Sequence, residues 1–142
     1  MSSTAAESVS GHRILIVESE VDVADALAQL MSDMGHVVQL AADAKSALLE
    51  LHDFEPHLVL LGTYLADMPG YELSAILKGA PQYSYIFRHV SVLYVADRNK
   101  MLKNRFSSAR DVPVSQYIFK PINPTEVREK VTRAIRESVI GS

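Results

Sequence analysis

The stretch EPHLVLLGTYLADMPGYEL, residues 55–73, decides how the chain is read. Leu58-Val59-Leu60-Leu61 is a short, wholly apolar run between Pro56 and a polar loop. A run of that kind reads as a strand buried on both faces, here over 57–61. The loop closes at Pro69-Gly70, and Leu73, Ile76 and Leu77 then recur at helical spacing. That spacing predicts a short helix over 70–78. At the mouth of the strand, where an α/β protein places reactive side chains, stands Gly62. A site is built there with no side chain at its centre.

The same alternation runs outward in both directions. Arg13-Ile-Leu-Ile-Val17 is an apolar run that ends in acids. Val23, Leu27, Leu30, Met31 and Met34 form one stripe of a helix over 20–34, which Gly35 ends. Val37 to Leu40 predicts a second strand, and Asp43 caps a helix carrying Ala44, Leu48 and Leu51. Residues 89–95 predict a fourth strand, 98–110 a basic helix and 115–119 a fifth strand. Asn123-Pro124-Thr125-Glu126 opens the last helix with a cap, a proline at its first position and a glutamate at its third. Five such units argue for a parallel sheet covered on both faces. Its functional crevice lies at the carboxyl ends of the strands. There the chain offers Glu18-Ser19-Glu20, Gly62-Thr63, Ala96-Asp97 and Lys120-Pro121.

Composition narrows the classes. The 142 residues suit one domain. With no cysteine there is no disulfide framework, thiolate nucleophile or zinc ribbon. No apolar run approaches the ~18 residues of a membrane span. Residues 1–11 have neither a basic leader nor an apolar core, so they read as a disordered polar tail and not a secretory signal. Residues 12–137 read as the domain, and 138–142 as a frayed end or the start of a linker. A cytoplasmic setting fits. The net charge of −3 hides an asymmetry: residues 1–96 hold 12 acids and 4 bases, and residues 97–142 hold 5 acids and 10 bases. Solvated helix faces explain this, and so does a basic face that meets an acidic partner.

Four segments together resemble the receiver domain of bacterial two-component response regulators: RILIVESE (13–20), PHLVLLGTYLADMPGYEL (56–73), VSVLYVAD (90–97) and YIFKPINPTEV (117–127). The resemblance implies a flavodoxin-like (βα)5 three-layer sandwich with strand order 2-1-3-4-5. It places the phosphoacceptor aspartate of such domains at Gly62, since the loop glycine eight residues later falls on Gly70. The paired magnesium acids fall on Glu18 and Ser19, the phosphoryl-contacting hydroxyl on Ala96, the lysine on Lys120 and the aromatic switch on Tyr117. Phosphoryl transfer needs a nucleophile, a divalent cation and donors for the developing charge. Glycine supplies no nucleophile. Magnesium, which prefers octahedral oxygen ligands with one or two carboxylates, is expected to bind weakly or not at all. Lys120 is expected to pair with Glu18.

The resemblance therefore implies a degenerate pseudo-receiver, not an enzyme, that works through protein partners independently of phosphorylation and belongs to a larger regulator. The alternatives are a displaced acceptor, Thr63 or Asp67, or a small-ligand sensor in the emptied site. In this family the usual partner surface is the fourth helix, fifth strand and last helix. The candidates there are Arg98, Lys100, Lys103, Arg105, Arg128, Lys130 and Arg133, with a homodimer as a further arrangement. Tyr83, Tyr85 and Phe87, in a connection longer than usual, are either core or a contact patch. No recognition helix or aromatic stacking platform supports nucleic acid. The histidines, His12, His36, His52, His57 and His89, are scattered without metal-ligand spacing. His36 and His57 read as boundary residues.

Overall fold

The computed structural model describes residues 10–98 and 112–141. Five parallel strands, β1 (Arg13–Val17), β2 (Val37–Ala41), β3 (Leu58–Gly62), β4 (Ser91–Asp97) and β5 (Tyr117–Lys120), form one sheet in the order β2-β1-β3-β4-β5. The described helices are α1 (Val21–Asp33), α2 (Ala44–Phe54), α3 (Gly70–Gly79), α4 (Pro81–Phe87) and α5 (Pro124–Gly141). This is the flavodoxin-like sandwich that the four segments imply.

β3 at the centre of the sheet is buried at every position because both its faces are covered, the edge strand β2 is largely open, and period-2 alternation sorts the side chains. Leu15, Val17, Val59, Leu61, Tyr94, Ala96 and Tyr117 pack with Ala44, Ala47 and Leu51 of α2 and Leu73 and Leu77 of α3. Ile14, Ile16, Leu58, Leu60, Leu93, Val95 and Ile118 pack on the opposite face with Leu27, Leu30 and Met31 of α1 and Val127, Val131 and Ile135 of α5. Local signals hold the helix ends. Asp43 accepts from the Ser46 N–H at 2.8 Å, Asn123 from the Glu126 N–H at 3.2 Å, and Gly35 takes φ 88° behind α1.

Several boundaries differ from the sequence reading. The segment read as a long connection before β4 contains α4. Ala80 is extended, which stops α3, and its carbonyl accepts from Tyr83 and Ser84 while Pro81 starts the new turn. α4 puts Phe87 in the core at 4% exposure and leaves Tyr85 72% exposed, so Phe87 is no part of a contact patch. Tyr83 packs against the same core and lies 5.8 Å from the His52 ring. β4 begins at Ser91 instead of His89 and runs on through Ala96, which the ladder pairs with Phe119. Val114–Gln116 is a 3₁₀ turn leading into β5, not strand. The last helix continues to Gly141, past the end expected at 137. Most of the helix expected over 98–110, with Lys100, Lys103 and Arg105, lies outside the described residues.

Candidate functional site

β1, β3, β4 and β5 bring Glu18, Gly62, Ala96 and Lys120 to one end of the sheet, as the sequence predicts. Glu18 follows β1 directly, its N–H donating to the Ala41 carbonyl at 3.0 Å. Its side chain turns inward and is 1% exposed. One carboxylate oxygen, Oε2, accepts from the Glu20 N–H at 2.9 Å. The other, Oε1, is buried without a hydrogen-bond partner. A Cβ built on Gly62 would lie 2.9 Å from that oxygen and 3.3 Å from Leu65 Cδ2. The space beside Gly62 is therefore no empty pocket. The Glu18 carboxylate lies against it.

Lys120 pairs with Glu18 as expected and takes Glu20 as a second, closer partner. Its Nζ donates to Glu20 Oε1 at 2.6 Å and stands 3.6 Å from Glu18 Oε1, beyond hydrogen-bond range. Glu20, half in solvent, takes the short hydrogen bond, and buried Glu18 takes the longer ion pair. The bond to Glu20 is worth little by itself because water screens it. The field on Glu18 matters more because that carboxylate is desolvated. Burial pushes the Glu18 carboxyl above the ordinary value, and the Glu20 N–H and Lys120 offset part of that rise.

Ser19 holds three loops together. Its hydroxyl donates to the Ala42 carbonyl at 2.6 Å and accepts from the Ala66 N–H at 2.8 Å. The two displaced-acceptor candidates differ in exposure, Thr63 being buried and Asp67 exposed. Thr63 is 4% exposed, and its Oγ1 lies 3.5 Å from the Val95 carbonyl. Asp67 accepts from the N–H groups of Ala44 at 2.9 Å and Lys45 at 3.0 Å. The Ala44 bond above all holds its carboxyl below the ordinary range. Asp67 thus joins Asp43 in satisfying the free amides at the start of α2.

Tyr117 is buried, and its hydroxyl meets that of Tyr71. The Tyr94 ring lies 5.0 Å from Tyr71 and 5.8 Å from Tyr117, and the Tyr94 hydroxyl donates to Ser74 Oγ at 3.0 Å. Burial, before any neighbour, raises the Tyr71 and Tyr117 phenols. Sequence reasoning located Tyr117 but missed its partners, because Tyr71 and Tyr94 come from a separate helix and strand. Lys130 is partly buried: its ammonium donates to the Tyr117 carbonyl and, at 2.8 Å, to Glu126. Arg128 and Arg133 remain exposed on α5, and the Arg98 guanidinium lies 4.3 Å from the centre of the Phe119 ring.

Around Gly62 stand the buried Glu18 carboxylate, the Glu20 carboxylate at the rim and the Lys120 ammonium between them, with Asp97 at the end of β4. Among the described residues, no three His, Asp or Glu side chains are grouped to hold a metal ion. Glu18 has one oxygen bonded to an amide and the other facing Lys120, a poor donor set for Mg²⁺. No described helix is long and apolar enough to cross a membrane.

The chain is similar to several known proteins. It is 28% identical over 116 residues to an uncharacterized 14.6 kDa protein of Leptolyngbya boryana, covering 80% of this chain and 82% of that one. It is 27% identical over 132 residues to the transcriptional regulatory protein TcrA of Mycobacterium tuberculosis, covering 93% of this chain but only 49% of TcrA. Among solved structures, NtrX from Brucella abortus matches with TM-score 0.76 and 26% identity over 92% of this chain and 28% of NtrX. A CheY-like receiver domain protein from Methanospirillum hungatei matches with TM-score 0.72 and 25% identity over 94% of this chain and 100% of that one. The response regulator receiver domain matches residues 14–132. With the sheet order, the core and the lysine in place, the chain belongs to the response regulator receiver domain family.

Proposed function

We propose that this chain is a pseudo-receiver, a signalling module that binds protein partners without being phosphorylated, within a larger cytoplasmic bacterial regulator. One observation carries the reading. The Glu18 carboxylate stands 2.9 Å from where a side chain on residue 62 would begin, so the place of a nucleophile is filled by a group tied to its own loop. The other site residues support it. Ser19 is engaged as a loop tie, Thr63 faces the sheet, Asp67 caps α2 and Ala96 has no hydroxyl. Magnesium on this donor set is expected to be weak or absent.

Receiver domains act in signalling through partner proteins. Here the proposed contact face is β5 with α5, offering Arg98, Arg128 and Arg133 to an acidic partner or a second copy of the chain. The names of TcrA and NtrX, and the fraction of each that this chain spans, support a place beside an output domain. Nucleic acid is not the proposed partner.

The test is incubation with acetyl phosphate, or with beryllofluoride, in the presence of magnesium. Intact-mass spectrometry should show no phosphoryl adduct, and backbone amides around residue 62 should keep their NMR shifts. A stoichiometric adduct would overturn the reading. Its loss in Thr63→Ala or Asp67→Ala would locate a displaced acceptor.

A further inference from the structure

At the opposite end of the sheet the fold gathers three histidines that lie far apart in the sequence. The His12 ring centre is 5.8 Å from that of His36 and 5.1 Å from that of His57. Each belongs to the start of a different strand. The His12 N–H donates to His36 Nδ1 at 3.3 Å, and the Arg13 N–H to His57 Nδ1 at 2.9 Å. The backbone returns both contacts. Val37 N–H donates to the His12 carbonyl at 2.9 Å and His57 N–H to the Arg13 carbonyl at 2.8 Å. Two ring nitrogens, His12 Nδ1 and His36 Nε2, are buried without any partner.

We propose that His36 and His57, packed around the His12 ring, form an acid-sensitive clasp: when neutral they fasten the starts of β1, β2 and β3, and when protonated they release them. An Nδ1 that accepts a backbone N–H leaves the neutral ring's proton on Nε2. A second proton must enter at Nδ1, where it faces another N–H and the bond is lost. The new cation has no compensating neighbour among the groups that act on it. His36 feels His12 and His57, and His57 feels Arg13 and His12. The Arg13 Nε is itself spent on the Phe54 and Glu55 carbonyls, both at 2.8 Å. The side chains of Asp33 behind α1 and Glu55 behind α2 are exposed, and Asp33 accepts from Gln29. Burial leads the forces that hold His36 and His57 below the ordinary imidazole value.

The same tautomers argue against a metal site. A neutral ring protonated on Nε2 with Nδ1 engaged has no lone pair to give. The sign of the pH effect follows from the depressed values. The unfolded chain binds more protons, so the stability is present above about pH 6.5 and is lost as pH falls. The clasp does not depend on the pseudo-receiver reading, since it lies at the far end of every strand.

The experiment is an NMR titration of the imidazole resonances of the full chain between about pH 8 and about pH 5, with urea unfolding over the same range. His36 and His57 should titrate below about 6.5, and the His12 and Arg13 amides should shift with them. The unfolding constant should rise by up to about tenfold per pH unit for each histidine in that window. His36→Asn with His57→Asn keeps an acceptor oxygen near each Nδ1 but cannot titrate. It should flatten the acid-side rise by about tenfold or more at about pH 5.5. An unchanged rise in that double variant overturns the proposal. If the variant does not fold, the wild-type titration decides: midpoints at or above about 6.5, or amides that ignore them, overturn it equally.

Discussion

A Gly70→Ala protein is expected to lose about 3 kcal/mol or more of stability, at the upper end of what overpacking costs. The new Cβ would sit 2.0 Å from the Gly62 carbonyl oxygen, 3.0 Å from the carbonyl carbon and 3.2 Å from Thr63 Cα. All three are backbone atoms at the end of β3 and the first residue after it, so no side chain can swing aside. The Gly70 N–H also donates to the Thr63 carbonyl at 2.9 Å, and moving α3 outward breaks that bond. α3 carries Leu73 and Leu77 into the core, so retreat there exposes apolar area as well. Gly79→Ala is the control. A Cβ at Gly79 meets nothing within 4 Å, and that change should be neutral or slightly stabilising. Urea unfolding of the two variants should separate their midpoints widely. Equal midpoints would mean that the close approach of Gly70 to Gly62 does not constrain the fold.

The same glycine made the position of Gly62 legible. The resemblance to receiver domains places a loop glycine eight residues after the strand-end position, and in this sequence that glycine is Gly70. Counting back from it fixed Gly62 at the strand end, where the ladder places it. The parallel sheet was legible because apolar runs and helical stripes alternate, and its strand order came from the resemblance to receiver domains. What stayed hidden depends on contacts between distant segments. Nothing local in PQYSYIF distinguishes a short helix from a loop, and Pro81 reads as a breaker until it is seen at the first helical position. The direction of Glu18, the choice of Glu20 by Lys120 and the Tyr71–Tyr94–Tyr117 cluster are set by packing. The histidines looked scattered because a parallel sheet aligns strand starts that the chain separates by more than 20 residues. One signal was available: His12, His36 and His57 each immediately precede a strand or its first residue, and parallel strands start at the same edge.

Lys120→Met is the second large effect, and it asks what the surviving lysine does. On the receiver pattern this cation serves the phosphoryl group. In this chain it stands between Glu18 and Glu20, 3.6 Å from a carboxylate oxygen with no other partner. Removing it leaves Glu18 buried beside apolar atoms, and breaking a buried pair in this way costs about 3 kcal/mol near neutral pH. The cost must depend on pH. Burial already holds the Glu18 carboxyl above the ordinary value, so the folded chain binds that proton more tightly than the unfolded chain does. Its contribution to stability is full below about pH 4.5 and declines as pH rises through the raised folded value. Losing the ammonium raises that value further and deepens the decline. The deficit of Lys120→Met should therefore be small near pH 4.5 and largest near neutrality, and Glu18→Gln in the same chain should recover most of it. A deficit that is the same at both pH values, or that survives Glu18→Gln, would place the role of Lys120 elsewhere. If the pattern holds, Lys120 is counterion to the Glu18 carboxylate beside Gly62, and an aspartate introduced at Gly62 would set two carboxylates competing for one lysine.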